Sequence, residues 1–197
     1  MIKKFAFIIS VIFHPLFLFF YLILYLVFFT DIFLIYRYSS HLWMLLLYIF
    51  LNTIIIPSIL ILFYSRDFMM KDKENRTIPY VIMIVVYAFM LFFFIKFYIS
   101  ALVLRFLIGL ILGLLCLTIL NVYYKSSLHT FAMGTLFAFF IRIYFLEPTL
   151  IYYSLLIVIL LAGLIGSARL ILDAHTKGEL VAGFSIGTGV TLIVLLL

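Results

Sequence analysis

From Ala101 to Val122 the chain reads ALVLRFLIGLILGLLCLTILNV, an apolar run whose one charged side chain is Arg105. As a helix rising 1.5 Å per residue such a run is about 33 Å long, enough to cross a hydrocarbon layer of about 30 Å. Six comparable runs cover residues 5–28, 42–64, 80–99, 128–146, 150–168 and 180–197. In lipid a backbone can satisfy its N–H and C=O groups only within a helix or a closed barrel. The runs are continuous rather than short and alternating, which favours helices over a barrel. The predicted fold class is therefore all-α, a polytopic transmembrane helical bundle of six to seven spans. The count turns on Ser100, which alone separates the third and fourth runs, so that these could instead form a tight or partly re-entrant hairpin.

The chain is 69% hydrophobic and 20% aromatic, against roughly 45–50% apolar residues in soluble domains, so lipid is the solvent for most of its surface. No linker, repeat or low-complexity tract interrupts the 197 residues, which read as a single integral membrane domain, 1–197. The opening MIKKFAFIISVIF begins like a signal peptide, but the apolar run continues through Val27 with no small-x-small cleavage site, so it reads as a retained first span. The net charge of +6 does not point to nucleic acid, because no basic cluster is interleaved with exposed aromatics; the partner implied is the bilayer. Cys116, the one cysteine, sits inside an apolar run, which excludes a disulfide or a cysteine-ligated metal site within a monomer. Gly109 with Gly113, and Gly183 with Gly187, are small-xxx-small pairs that predict close helix packing.

With seven crossings, three loops fall on the same side as the N-terminus: YSRDFMMKDKENRTIPY (64–80), NVYYKSSLHT (121–130) and SARLILDAHTKGE (167–179). They hold most of the polar residues in the chain. Of its 13 Lys and Arg, this side carries nine and the other side four, Arg37, Lys96, Arg105 and Arg142, which by the positive-inside rule turns the loops to the cytoplasm. Removing Lys71, Arg76 and Arg169, which are candidate ligands, leaves six against four and the side open.

The third loop is the densest in ionisable groups. On a helix His175 and Glu179 share a face, so the carboxylate can hold one imidazole nitrogen and leave the other a basic lone pair, as a nucleophile or base needs. On a continuous helix Arg169 would lie about 120° round and about 9 Å along from His175, within reach of a group attacked there. In the second loop Ser126 or Ser127 caps the fifth span, and His129 in its first turn is placed to give a proton to a leaving oxygen. In the first, Lys71, Lys73 and Arg76 could neutralise a phosphate.

In order and approximate spacing, these segments resemble the three signature motifs of the type 2 phosphatidic acid phosphatase family, K-x6-R-P, P-S-G-H and S-R-x5-H-x3-D. The third motif is matched by Arg169, His175 and Glu179, and the second by Ser127 and His129. The resemblance covers about residues 65–185. It implies a metal-independent and cofactor-independent hydrolase acting on a lipid phosphate ester in a bacterial inner membrane. His175 would be the nucleophile that forms a phosphohistidine, Glu179 its orienting carboxylate and His129 the general acid. Arg169, Arg76, Ser127 and Lys71 would bind the phosphate. The departures are specific: Ala168 stands in place of serine, Glu179 in place of aspartate, Ser126 and Leu128 flank Ser127, Thr77 follows Arg76, and Met69 occupies the motif's lysine position. A catalytically degenerate relative that binds a lipid phosphate or serves a structural role is the alternative.

Plainer readings exist for several residues. Arg169, Asp173 and Lys177 at successive i, i+4 positions could be an ion-pair stripe, and His14 beside Pro15 a kink or packing feature. Arg105 and Arg142 could snorkel from span ends, with Glu147 a local partner for Arg142. A transporter would place polar groups at mid-membrane in broken helices, whereas here they gather at one end. The paired acidic motifs of CDP-alcohol phosphotransferases and prenyltransferases are missing from the sequence.

Overall fold

A computed structural model describes residues 1–64, 76–146 and 148–197. Among these residues every regular element is helical. The helices are α1 (Ile2–Ile12), α2 (Pro15–Phe29), the short α3 (Leu34–Arg37), α4 (Leu42–Phe50), α5 (Ile56–Tyr64), α6 (Thr77–Lys96), α7 (Ala101–Tyr123), α8 (Leu128–Leu146), α9 (Pro148–Ile171) and α10 (Lys177–Leu196). A π-type turn over Leu51–Ile55 joins α4 to α5, so that Leu42–Tyr64 is one 23-residue span. Six helices are long and apolar enough to cross a membrane, and α1 with α2 makes a seventh if the bent pair is one span. These match the apolar runs, with one refinement: the first run is broken, because Pro15 has no N–H to continue a helix. The third and fourth runs are separate helices, joined through Tyr98 at φ 54°.

The chain divides into two compact units. One contains residues 16–104. Its contacts are largely aromatic: the Phe19 and Tyr87 rings lie 5.9 Å apart, Phe20 and Phe50 5.4 Å, and Tyr48 and Phe93 5.6 Å. Outward-facing Trp43, Leu47, Phe63 and Phe89 are exposed, an apolar surface suited to lipid.

The other unit contains residues 1–15 and 105–197, and α8 is its core. From His129 to Leu136 every side chain of α8 is buried. α8 packs against α9 and α10, and α1 against α9. Glycines allow this. A Cβ added to Gly183 would collide with the Ser127 carbonyl, one on Gly187 with the Phe131 carbonyl, and one on Gly134 with the Phe184 carbonyl. On α7, a Cβ on Gly113 would lie 2.7 Å from the Phe131 ring and one on Gly109 3.0 Å from Thr191 Cα. Gly183 and Gly187 therefore pack α10 backbone to backbone against α8, while Gly113 makes room for the Phe131 ring.

Candidate functional site

Two turns build the site, one ending α9 and the other starting α10. At the end of α9 the Asp173 N–H donates to the Leu170 carbonyl (3.0 Å) and the Ala174 N–H to the Arg169 carbonyl (3.1 Å). Asp173 has φ 52°. This is a Schellman closure with aspartate in the left-handed position that glycine usually takes. Arg169 is thus in the last turn of α9, and the chain reverses before His175.

The sequence Thr176-Lys177-Gly178-Glu179 is a capping box, and the Thr176 hydroxyl accepts from the Glu179 N–H (3.3 Å). In a complete box the glutamate carboxylate returns to the cap residue's own N–H. Here Glu179 Oε2 instead takes His175 Nδ1 at 2.7 Å, with the two side chains 2% and 14% exposed. Since an ionised carboxylate only accepts, the hydrogen of this bond is on Nδ1.

Two expectations are corrected by this geometry. The His175–Glu179 contact comes from a helix cap and not from a shared helix face, because His175 precedes the first turn of α10. The continuous helix assumed for Arg169, Asp173 and Lys177 is broken over 172–176, so they form no single stripe; Asp173 instead pairs with Lys3 at 2.7 Å.

The second polar loop meets the third. Lys125 Nζ donates to the Ala174 carbonyl (3.0 Å), and the Ser127 N–H donates to the Glu179 carbonyl (3.1 Å). The Thr130 hydroxyl donates to the Leu180 carbonyl (2.8 Å). Ser127 caps α8 as expected, its hydroxyl accepting from the Thr130 N–H (3.4 Å), and it is fully buried.

His129, Arg169 and His175 are buried in the same unit, and the His129 ring lies within electrostatic reach of both of the others. Ser10 of α1 connects two of them. Its hydroxyl accepts from Arg169 Nη1 (2.7 Å) and lies 3.3 Å from His129 Nε2, while its carbonyl lies 3.1 Å from the same nitrogen. His14 packs edge-on against His129, the ring centroids 5.3 Å apart. Sequence reasoning missed Ser10 and treated His14 as packing. The available signal was their spacing: they are polar residues in an otherwise apolar run, one helical turn apart, with His14 immediately before Pro15.

Arg76 is buried at the start of α6 and belongs to the unit containing residues 16–104. Lys71 and Lys73 lie outside the described residues, as does Glu147. Arg142 Nε donates to the Leu195 carbonyl (3.1 Å). Among the described residues no group of three or more His, Cys, Asp or Glu side chains is placed to hold a metal ion. Comparison with known proteins supplies no relative: no family model matches the chain, and no curated protein or solved structure matches it at a significant level.

Proposed function

We propose that this chain is a membrane-embedded phosphatase resembling the type 2 phosphatidic acid phosphatases, acting on a phosphate monoester or diphosphate of a lipid or isoprenoid in a bacterial inner membrane. The observation that carries the reading is the His175–Glu179 pair: a buried imidazole whose Nδ1 is held by a carboxylate, in one unit with Arg169 and His129; the neutral form of such a ring keeps its lone pair on Nε2. A carboxylate-oriented imidazole is a nucleophile suited to phosphorus. Nε2 attacks phosphorus and the bond to the leaving alkoxide oxygen breaks, that oxygen taking a proton from His129. Water, giving its proton to His129, then attacks the phosphohistidine, and the N–P bond breaks to release phosphate and restore His175. Arg169 would meet the negative charge on the transferred group, with Arg76, Ser127 and Lys71 as the further ligands the resemblance implies.

The test is phosphate release from dioctanoyl phosphatidic acid and from a prenyl diphosphate by purified full-length protein in nanodiscs, against a His175→Ala variant. Loss of a covalent nucleophile is expected to lower the rate by about 10³-fold or more. Equal rates would remove the enzyme reading. One observation favours the degenerate alternative: Ala168 offers no hydroxyl where the family motif has serine. That alternative expects the protein to bind phosphatidic acid vesicles without turnover.

A further inference from the structure

Pro15 changes the hydrogen bonding of the turn before it. In an uninterrupted helix the Val11 carbonyl would accept from residue 15 and the Ser10 carbonyl from residue 14. Proline has no N–H, and the His14 N–H donates to the Val11 carbonyl instead (3.2 Å), while the Phe13 N–H donates to the Ile9 carbonyl (3.0 Å). The Ser10 carbonyl is thereby released from the helix ladder. It is buried, and it lies 3.1 Å from His129 Nε2. A carbonyl oxygen only accepts, so Nε2 must carry the hydrogen of this bond, and Nδ1 becomes the nitrogen at which His129 gains or loses a proton. On the side chain of the same residue, the hydroxyl holds Arg169 Nη1 at 2.7 Å. Packing of α1 along α9 brings Ser10 to that guanidinium.

We infer that Ser10 is a positioning residue of the site, acting through Arg169 and His129. Its hydroxyl orients the guanidinium, and its carbonyl, freed by the Pro15 break, sets the tautomer of the imidazole. The N-terminal helix is then part of the reaction machinery and not only an anchor. As a statement about catalysis this rests on the phosphatase reading; the tautomer it assigns to His129 does not.

Hydrolysis of dioctanoyl phosphatidic acid in nanodiscs, with rates normalised to folded protein, tests it. Ser10→Ala is expected to lower kcat by about ten- to a hundredfold with KM within about twofold, the range typical of lost orienting partners. Ser10→Thr, which keeps both the hydroxyl and the carbonyl, is expected to return kcat to within about threefold of the unsubstituted protein. Pro15→Ala restores an N–H at residue 15, lets the helix ladder recapture the Ser10 carbonyl, and is expected to lower kcat by about tenfold with every site side chain retained. Nitrogen-15 spectra of histidine-labelled protein, with His129 assigned by substitution, are expected to show hydrogen on Nε2, and a redistribution toward Nδ1 in Pro15→Ala.

If Ser10→Ala and Pro15→Ala keep full kcat while His175→Ala is inactive, the Ser10 assignment is overturned and the phosphatase reading stands. If His175→Ala is as fast as the unsubstituted protein, or neither releases phosphate, the phosphatase reading fails and the spectra decide for Ser10. An Nε2 hydrogen that Pro15→Ala displaces supports its hold on His129, and a His129 signal unmoved by Pro15→Ala overturns it.

Discussion

Among the described residues, polar side chains in the unit of residues 16–104 mostly bond to their own stretch of chain, whereas several in the unit of residues 1–15 and 105–197 reach across it. In the first, the Asn52 amide donates to the Tyr48 carbonyl, the Thr53 hydroxyl to the Ile49 carbonyl and the Thr30 hydroxyl to the Leu26 carbonyl, each four residues back. Arg37 turns back to the carbonyls of Val27 and Thr30. Tyr36 departs from this, its hydroxyl donating to the Phe97 carbonyl. In the second, Thr130 bonds to Leu180, Arg142 to Leu195, Ser10 to His129 and Arg169 to Ser10, at separations of 50 to 159 residues. A polar group bonded within its own turn makes a helix comfortable in lipid but says nothing about its neighbours. One bonded between helices fixes which helices meet and in what register, as a constellation of catalytic side chains requires.

The largest effect is expected where that register depends on backbone contact. Gly187→Leu drives a side chain into the Phe131 carbonyl, and neither α8 nor α10 can yield without breaking the Thr130–Leu180 bond and the one from the Ser127 N–H to the Glu179 carbonyl. A loss of about 3 kcal/mol or more is expected in reversible unfolding by SDS titration. Gly189, in the same helix, has nothing within 4 Å of an added Cβ. Gly189→Ala is expected to be neutral or to stabilise by up to about 1 kcal/mol, since alanine is the better helix former. A similar loss for both would mean that the contact between α8 and α10 is not what orders this unit.

Next in size is a matched pair of threonines. Thr130→Val removes a buried bond between α8 and α10 and is expected to cost about 1 kcal/mol, within the range measured for interhelical hydrogen bonds in membranes. Thr53→Val is equally buried but loses only a bond to a carbonyl of its own stretch of chain, four residues back. A change of less than about 0.5 kcal/mol is expected there. If Thr53→Val cost as much as Thr130→Val, the distinction between local and bridging bonds would fail.

The same distinction separates what could be read from the sequence and what could not. Spans were legible because each lies in one uninterrupted stretch, and the apolar runs of α4 to α10 correspond to helices with ends shifted by a few residues. The pairing of His175 with Glu179 was legible from spacing, but its cause was misread, since i, i+4 arises equally from one helix face and from a capping box. Thr176 with Glu179 already spelled that box, and Asp173 is a residue type that accepts the left-handed position ending α9. The link from Ser10 to Arg169 and His129 was not legible. It depends on a backbone carbonyl released by a proline five residues later and met by a side chain 119 residues away. Hydrophobic periodicity carries no record of that.

Lys3 and Asp173 supply the smallest expected effect and separate sequence distance from burial as the source of the difference between the units. They lie 170 residues apart and 2.7 Å from each other, so by separation alone they resemble the bonds around Ser10. Their side chains, however, are 71% and 77% exposed, and solvent screening together with the lost freedom of a long lysine offsets most of the attraction. Asp173→Asn removes the charge and keeps a residue that tolerates φ 52°, so the closure of α9 is undisturbed. The expected loss is about 0.5 kcal/mol or less, vanishing at about 1 M salt, where the screening length falls to about 3 Å. A loss matching that of Thr130→Val and persisting in salt would mean that joining distant segments stabilises this unit whether or not the bond is buried. The expected near-zero value instead assigns the organising role to the dry contacts between distant segments: Ser10 with Arg169 and His129, and Thr130 with Leu180.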